Sequence, residues 1–216
     1  MPNPFRDQLA WAGGLSLLEV LRFGPCWWWW RLRWAVIQEY RGFDIQEVVS
    51  RHTAGGAQEL SYGETPTVTL ARLFELADLE PRARFVDLGS GRGLTVLAAA
   101  LMGYEACGLE LLEEYVKRAR NVARRLKIQA EFRHSDILEE PWPEAELYLL
   151  NSTAFPQGFR DRLTPRLASL QRASIIVTYD WELSDEFFQE ISSLRLPVTL
   201  GTVLCRLYQT NTNNQA

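Results

Sequence analysis

The chain has 216 residues, with 23 Lys and Arg against 27 Asp and Glu and a formal net charge of −4. Its 47% apolar content is that of a globular chain long enough to bury a sizeable core, which excludes disordered and fibrous classes. A mildly acidic chain also argues against broad nucleic-acid binding, which needs cationic charge to neutralise phosphates. The three cysteines and two histidines lack the spacing of a disulfide framework or a zinc site. We therefore expect no metal, and a reduced cytoplasmic location.

Residues 1–60 are predicted to be a helical extension, and six of the eight tryptophans lie before residue 35. On a helix over 25–41, four large apolar side chains fall on one stripe. They are Trp27, Trp30, Trp34 and Ile37. This stripe either packs on the protein or on a partner, or lies in a membrane interface, where tryptophan and arginine often occur together. No apolar stretch is long enough to predict a membrane-spanning helix.

Capping patterns predict where the other N-terminal helices begin. Ser16-x-x-Glu19 has the form of a capping box, and Gly24-Pro25 ends the helix that it opens. A similar pattern at 44–47 predicts a second short helix. Thr65 followed by Pro66 predicts the N-cap and first residue of a third helix, which ends before Pro81.

After Pro81 the sequence alternates between apolar strands and helices. Strands are predicted at 83–87, 105–110, 129–134, 145–150 and 174–179, and helices at 94–102, 111–127, 159–170 and 184–193. Two further strands, 196–200 and 203–208, are joined at Gly201-Thr202. This alternation predicts a doubly wound α/β fold with a mostly parallel, seven-stranded, Rossmann-like sheet. The predicted domain covers 61–210, and 211–216 form a polar tail.

A glycine-rich turn between the first strand and its helix carries the strongest functional signal. Glycines at 89, 91 and 93 let the backbone turn tightly and approach a ligand closely. The third glycine comes one residue too early for a dinucleotide fingerprint. Asp87, two residues before Gly89, would repel a pyrophosphate and attract an ammonium group. The turn therefore fits a ligand with a cationic amino-acid end, such as S-adenosyl-L-methionine.

Two more acidic residues follow the next strands of the predicted sheet. Glu110 ends the second strand, where a carboxylate can accept hydrogen bonds from both hydroxyls of a ribose. Asp136 follows the third strand and could accept a hydrogen bond from an adenine amino group while Ile137 covers the ring. For Asp136 a helix cap is the alternative interpretation. Because the carboxyl ends of parallel strands meet at one edge, these residues predict a single cofactor site.

The pattern Asp87-x-Gly89-x-Gly91-x-Gly93 resembles the most specific motif of class I S-adenosylmethionine-dependent methyltransferases. Two further segments narrow the resemblance. Residues 62–65, Tyr-Gly-Glu-Thr, are similar to a cofactor-covering loop of the non-SET histone-lysine methyltransferases, the group named for disruption of telomeric silencing. Residues 151–155, Asn-Ser-Thr-Ala-Phe, are similar to that group's Asn-Asn-Phe-Ala-Phe. Bacterial and mitochondrial lysine methyltransferases related to the group look similar at a coarser level.

The resemblance implies which residues act in the site. Tyr62 and Thr65 would close over the methionine part of the cofactor, Asn151 would lie beside the transferring methyl group, and Phe155 would shape the acceptor channel. Position alone adds Tyr179 and Trp181 as channel walls. The three glycines with Asp87, Glu110, Asp136 and Ile137 complete the expected cofactor site.

The implied activity is methylation of a protein lysine. A small-molecule methyltransferase and a non-catalytic cofactor-binding protein acting through its tryptophan-rich surface are the alternatives. Ser152 and Thr153 depart from the group's pattern, as does Leu94, which stands where the group has a glutamine. The basic helix over 117–127 is expected to be a solvated face.

Overall fold

The computed structural model describes residues 17–43, 64–170, 174–199 and 201–210. A helical segment over 17–23 precedes five helices: α1 Trp27–Glu39, α2 Thr67–Leu76, α3 Leu94–Leu101, α4 Glu113–Leu126 and α5 Gln157–Ala168. The seven strands are β1 Arg84–Leu88, β2 Glu105–Glu110, β3 Ala130–His134, β4 Leu147–Leu150, β5 Ile175–Tyr179, β6 Phe188–Val198 and β7 Gly201–Thr210. The predicted helix at 44–47 and the tail 211–216 lie outside the described residues.

All seven strands form one sheet with the order β3-β2-β1-β4-β5-β7-β6. Strands β1 to β5 pair in parallel, and β7 pairs antiparallel with both β5 and β6. The predicted mostly parallel seven-stranded sheet is confirmed. The strand order reverses between β1 and β4, so the carboxyl ends of these two strands flank the place where such sheets bind ligands.

The helix predicted at 184–193 is wrong, because most of that segment forms strand β6. Strand β6 pairs with β7 from Phe188 opposite Thr210 to Val198 opposite Gly201. A β-bulge between Glu190 and Ser192 shifts the register, so this part of the sequence lacks the strict alternation by which a strand is recognised. The connection between the two strands also comes earlier than predicted, between Val198 and Gly201.

Two hydrophobic clusters fill the two sides of the sheet. Alternate residues of β1 point to opposite sides, so Phe85 lies in the larger cluster and Val86 in the other. The inner face of α1 packs into the larger cluster through Leu32, Ala35 and Val36. The described part of the N-terminal extension therefore shares the main core, although the boundary at residue 60 stays a prediction.

The predicted stripe on α1 is its exposed side and not its buried face, so among the described residues the stripe does not pack on the core of the protein. Trp27, Trp30 and Trp34 are all at least half exposed, whereas Trp29 is 3% exposed and packs beside Phe23. Helical spacing identified the stripe correctly but could not tell which side faces the sheet. The side that faces α3 and α4 carries Leu32, Ala35 and Val36, whose small and aliphatic side chains allow the helices to approach closely.

Glu19 links the N-terminal segment to the start of α2. The side chain is 1% exposed, and its Oε1 accepts a hydrogen bond from the Thr67 backbone N–H at 2.8 Å. Arg33 Nη1 lies 3.8 Å from the other carboxylate oxygen. Thr65 was predicted to cap this helix, but Pro66 occupies the N-cap position, and Glu19 satisfies the first free N–H from a distant part of the chain.

Among the described residues no helix is both long and apolar enough to cross a bilayer. Of the cysteines, Cys107 and Cys205 are buried and Cys26 is half-buried, and all three are free thiols. Burial raises the pKa of Cys107 to about 11 and that of Cys205 to about 12, so both are neutral near pH 7. Their packing is that of small apolar residues.

Replacing Leu32 by Ala tests whether α1 is part of the folding unit. Leu32 is fully buried, so Leu32→Ala should lower the free energy of unfolding by about 2–5 kcal/mol. Trp34→Ala on the exposed side of the same helix is the matched control and should change it by no more than about 0.5 kcal/mol. Urea unfolding followed by circular dichroism measures both. Equal small effects would mean that α1 does not contribute to the core's stability.

Candidate functional site

The predicted site residues that the structure describes lie along one edge of the sheet. Asp87 is the second-to-last residue of β1, and Glu110 is the final residue of β2. Asp136 follows β3, and Asn151 follows β4. Because these four strands are neighbours and parallel, their carboxyl ends bring the polar side chains to the same edge. Tyr62 lies outside the described residues, so its predicted role stays a prediction.

The glycine turn has the left-handed backbone that glycine favours. The φ angles are +91° at Gly89, +51° at Gly91 and +77° at Gly93. A Cβ added at Gly89 would meet no atom within 4 Å, so the backbone there leaves open space for a ligand. A Cβ at Gly93 would instead lie 2.6 Å from the Phe132 ring, so packing of α3 against β3 requires that glycine.

Glu110 holds the glycine turn in place. Its Oε2 accepts a hydrogen bond from the Gly91 N–H at 2.8 Å, and its Oε1 accepts one from the Leu112 N–H at 2.8 Å. The side chain is buried, and burial raises the pKa of Glu110 although these backbone donors partly oppose the rise. A carboxylate has about four acceptor sites, more than the backbone donors at Gly91, Leu111 and Leu112 occupy, so Glu110 can still accept a ribose hydroxyl while it orders the turn.

Asp87 is the second buried carboxylate of the site. Its Oδ2 accepts a short hydrogen bond from the Thr95 hydroxyl. Burial raises the pKa of Asp87 from 3.8 to about 7, the Thr95 hydroxyl lowers it, and the nearby charge of Glu110 raises it further. Sequence reasoning missed Thr95, since a threonine one residue into a helix carries no recognisable signal by itself.

The donor set of the site fits S-adenosyl-L-methionine. Within the described part of the chain, no basic side chain forms an ion pair with Asp87 or Glu110, and burying a carboxylate without compensation is costly. An ammonium group and two ribose hydroxyls would supply the missing partners. The open space at Gly89 would let that ligand approach the backbone.

Residues 64 and 65 tie the segment before α2 to the strand ends. The Thr65 hydroxyl lies 3.0 Å from the Tyr179 hydroxyl, both in buried positions. Glu64 forms an ion pair with Arg92 of the glycine turn, with Arg92 Nε 2.7 Å from Oε1. The Glu64 backbone N–H donates to Thr199 Oγ1 at 3.0 Å. Neither Glu64 nor Arg92 was among the predicted site residues, because nothing in their local sequence marks a pair 28 positions apart.

Two hydroxyl side chains, Ser152 and Thr153, order the segment after β4. They stand where the similar segment of the non-SET histone-lysine methyltransferases has an asparagine and a phenylalanine. Ser152 is fully buried; its Oγ donates to the Tyr179 carbonyl at 2.8 Å and accepts from the Tyr179 N–H at 3.0 Å. The Thr153 hydroxyl donates to Asn151 Oδ1 at 3.1 Å. Ser152 therefore joins the ends of β4 and β5, and Thr153 orients the Asn151 amide.

Phe155 is half-buried beside Phe159, with ring centroids 4.7 Å apart. Tyr179 is fully buried in the larger cluster, whereas Trp181 packs in the cluster on the other side of the sheet. The two predicted channel walls thus belong to different layers. Arg160 lies over the Trp181 ring at 5.6 Å.

Asp136 caps a turn, and not the helix that its alternative interpretation predicted, because residues 137–139 form a turn. Its Oδ1 accepts a hydrogen bond from the Leu138 N–H at 2.8 Å within a turn over 137–139. Ile137 is 8% exposed and packs in the second cluster. The Ser135 hydroxyl, just before this turn, is buried without a hydrogen-bond partner among the described residues. Capping leaves Asp136 further acceptor capacity, so both roles remain compatible.

The basic helix α4 is more than a solvated face, since several of its arginines bond to the backbone of neighbouring elements. Arg118 donates to the Glu39 carbonyl at 2.6 Å, and Arg125 donates to the Ala35 carbonyl. Arg120 donates to the Phe132 carbonyl. These contacts attach α1 and β3 to α4.

Solved structures with a similar fold define the class of protein. An RNA methyltransferase from Salinibacter ruber in complex with S-adenosyl-L-homocysteine superposes with a TM-score of 0.58 and 25% identity, covering 71% of this chain and 96% of that one. TrmN from Thermus thermophilus also gives a TM-score of 0.58, with 18% identity over 68% of this chain and 49% of that one. The fold is that of the class I S-adenosylmethionine-dependent methyltransferases, as the sequence predicted.

Sequence comparison indicates a particular group within this class. Residues 50–130 match the family described as "Histone methylation protein DOT1". An H3 lysine-79-specific histone-lysine N-methyltransferase from Yarrowia lipolytica is 27% identical over an alignment of 173 positions that covers 67% of this chain and 34% of that protein. The Cryptococcus neoformans enzyme of the same name is 31% identical over an alignment of 149 positions that covers 61% of this chain and 23% of that protein. The chain thus spans about a third or less of these relatives, and the predicted resemblance is confirmed.

Replacing Asp87 by Asn should reveal the cost of the buried charge. The folded pKa of about 7 exceeds the ordinary 3.8, so the folded state binds more protons than the unfolded state between these values. Without ligand, the free energy of unfolding of the wild type should therefore fall as the pH rises from about 4 to about 7, while that of Asp87→Asn should not show this fall. The difference should grow by up to about 1.4 kcal/mol for each pH unit in this range. Thermal melting from pH 4 to pH 8 measures this difference. A difference that stays constant with pH would show that Asp87 is not perturbed.

Proposed function

We propose that the chain is an S-adenosylmethionine-dependent methyltransferase that modifies a protein lysine. The observation that carries the proposal is the pair of buried carboxylates, Asp87 and Glu110, on either side of a glycine turn at adjacent strand ends. The similarity to enzymes named as histone-lysine N-methyltransferases supports a lysine acceptor.

Each cofactor-binding residue is proposed to contact a different part of the cofactor. Asp87 faces the ammonium group, Glu110 accepts the ribose hydroxyls, and Asp136 with Ile137 contacts the adenine. The segment from Tyr62 to Thr65 covers the methionine part. The hydrogen bond between Thr65 and Tyr179 supports this arrangement, because it holds the described end of that segment against the strand ends.

When bound, the cofactor supplies a methyl group attached to a positively charged sulfur. The sulfur leaves readily as a neutral thioether, so the leaving group needs no further activation. The protein then needs to position a neutral amine in line with that methyl and to exclude water. Asn151 is proposed to lie between cofactor and acceptor, with its amide oriented by Thr153. Phe155, supported by Phe159, is proposed to form an apolar wall that favours the uncharged amine.

Replacing Glu110 by Gln tests the cofactor site. An amide retains one acceptor oxygen and turns an N–H₂ group toward a backbone donor, so affinity for the cofactor should fall at least ten-fold. Isothermal titration calorimetry with S-adenosyl-L-methionine measures this, with NAD as a ligand that should not bind. The exposed Glu114→Gln is the matched control. Unchanged binding in Glu110→Gln would remove the carboxylate from the site.

Labelled cofactor incubated with a proteome extract tests the acceptor, with purified histone H3 as a separate sample. After hydrolysis we expect the label in methyl-lysine, at a rate that rises with pH toward the amine's pKa, about 10.4 when unperturbed. Phe155→Ala should lower turnover while cofactor affinity stays nearly unchanged, and Asn151→Ala should lower both. Ile191→Ala is the control, because Ile191 is exposed on β6 outside the candidate site, and it should change neither turnover nor cofactor affinity.

The same experiment separates the alternatives. Label in a small, protease-resistant metabolite would replace the lysine proposal by a small-molecule methyltransferase. Cofactor binding by calorimetry without transfer to any acceptor would indicate a non-catalytic cofactor-binding protein.

A further inference from the structure

A large apolar surface covers the solvent side of the N-terminal helices. Seven large apolar side chains there are between 50% and 71% exposed. This aromatic face comprises Leu17, Leu18, Leu21, Trp27, Trp30, Trp34 and Ile37. Eight of the eleven exposed large hydrophobic residues in the described chain come from residues 17–37. A concentration of this kind marks an interaction surface, since soluble proteins seldom expose apolar residues together.

The aromatic face is not an unpacked part of the core. The opposite side of α1 is already buried through Trp29, Leu32 and Val36, so the helix is docked without it. Trp30 packs on the turn that joins the two helical segments, with its Nε1 donating to the Gly24 carbonyl at 3.0 Å. Because this N–H already has a partner, the ring can enter an apolar medium without leaving a donor unsatisfied.

Within residues 17–43, which carry the aromatic face, the exposed charged side chains are positive. The exposed charged residues of the described stretch 17–43 are Arg22, Arg31 and Arg41. The two acidic residues of that stretch are turned inward: Glu19 is buried and caps α2, and Glu39 is half-buried against α4. The Arg31 guanidinium lies over the Trp27 ring, 4.8 Å from its centroid.

We propose that the aromatic face binds the interface of an anionic phospholipid bilayer. Tryptophan rings favour the headgroup level, and arginines keep their charge near lipid phosphates while their stems contact apolar surface. Arg22 forms an ion pair with Glu75 of α2, so the cationic charge that complements anionic headgroups comes mainly from Arg31 and Arg41. The helices are too short to span a bilayer, so they lie on its surface. This proposal is independent of the methyltransferase activity, since none of these residues belongs to the cofactor site.

Vesicle flotation tests the proposal with the full chain. Vesicles of phosphatidylcholine with about a quarter phosphatidylglycerol should carry the protein upward, and pure phosphatidylcholine should carry much less. The double variant Trp27→Ala/Trp34→Ala should lower the partition coefficient about ten-fold or more, because two interfacial rings are lost. Arg41→Gln should lower binding to the anionic vesicles several-fold while leaving binding to neutral vesicles unchanged.

The control is Ile191→Ala/Leu194→Ala, which removes two exposed apolar side chains from β6 and should leave flotation unchanged. A thermal melt of each variant checks that the fold is intact. Tryptophan emission should shift to shorter wavelength on binding in the wild type and shift less in Trp27→Ala/Trp34→Ala. Failure of the wild type to float would overturn the proposal. If light scattering then showed a dimer that the tryptophan variant dissociates, the occupant would be a second copy of the chain.

Discussion

Two carboxylates, Asp87 and Glu110, lie buried at the ends of adjacent strands, and no Lys or Arg of the described residues forms an ion pair with either of them. Backbone N–H groups and a threonine hydroxyl compensate only in part, because burial still raises the pKa of both groups. The protein therefore holds negative charge where it is unfavourable without a ligand. Such a site gains most from a ligand that brings a cation and hydroxyl donors.

The same constraint explains the shape of the glycine turn. Glu110 can accept from Gly91 only because the backbone there adopts a left-handed conformation that points the N–H toward β2. Arg92, which belongs to the glycine turn, forms an ion pair with Glu64 in the segment before α2. This contact holds the turn from its outer side. Glu64 contacts Thr199 at the β6–β7 connection as well. The cofactor site is thus held between the parallel strands and the antiparallel hairpin, which gives the hairpin a role in positioning.

The sequence predicted the parallel part of the fold well because its signals are local. The strands are short segments, and the predicted helices alternate with them along the chain, so the pattern of the parallel sheet is visible in the sequence itself. The first part of β6 was predicted as a helix, although a strand was predicted over 196–200, because the regularity of that part depends on pairing with β7 and is interrupted by a bulge at Glu190. Contacts between residues far apart in the sequence, such as Glu19 with Thr67 or Ser152 with Tyr179, cannot be predicted from the sequence around either residue. Asp87 and Glu110, by contrast, could be placed at the carboxyl ends of β1 and β2 from the sequence, because the strand boundaries can be predicted locally.

Helix α1 shows how one element can serve two partners. Its inner side carries residues that pack closely, and Arg125 and Arg118 bind its backbone carbonyls, so its position is set by α4. The outer side, where Trp27, Trp30 and Trp34 are at least half exposed, contributes much less buried area to the fold than the inner side does. The C-terminal end of α1 leads into Tyr40, whose ring lies under the Arg92 guanidinium of the glycine turn. The inner side of α1 and the residue that follows it therefore pack against the elements that line the candidate site, while the outer side faces away from them.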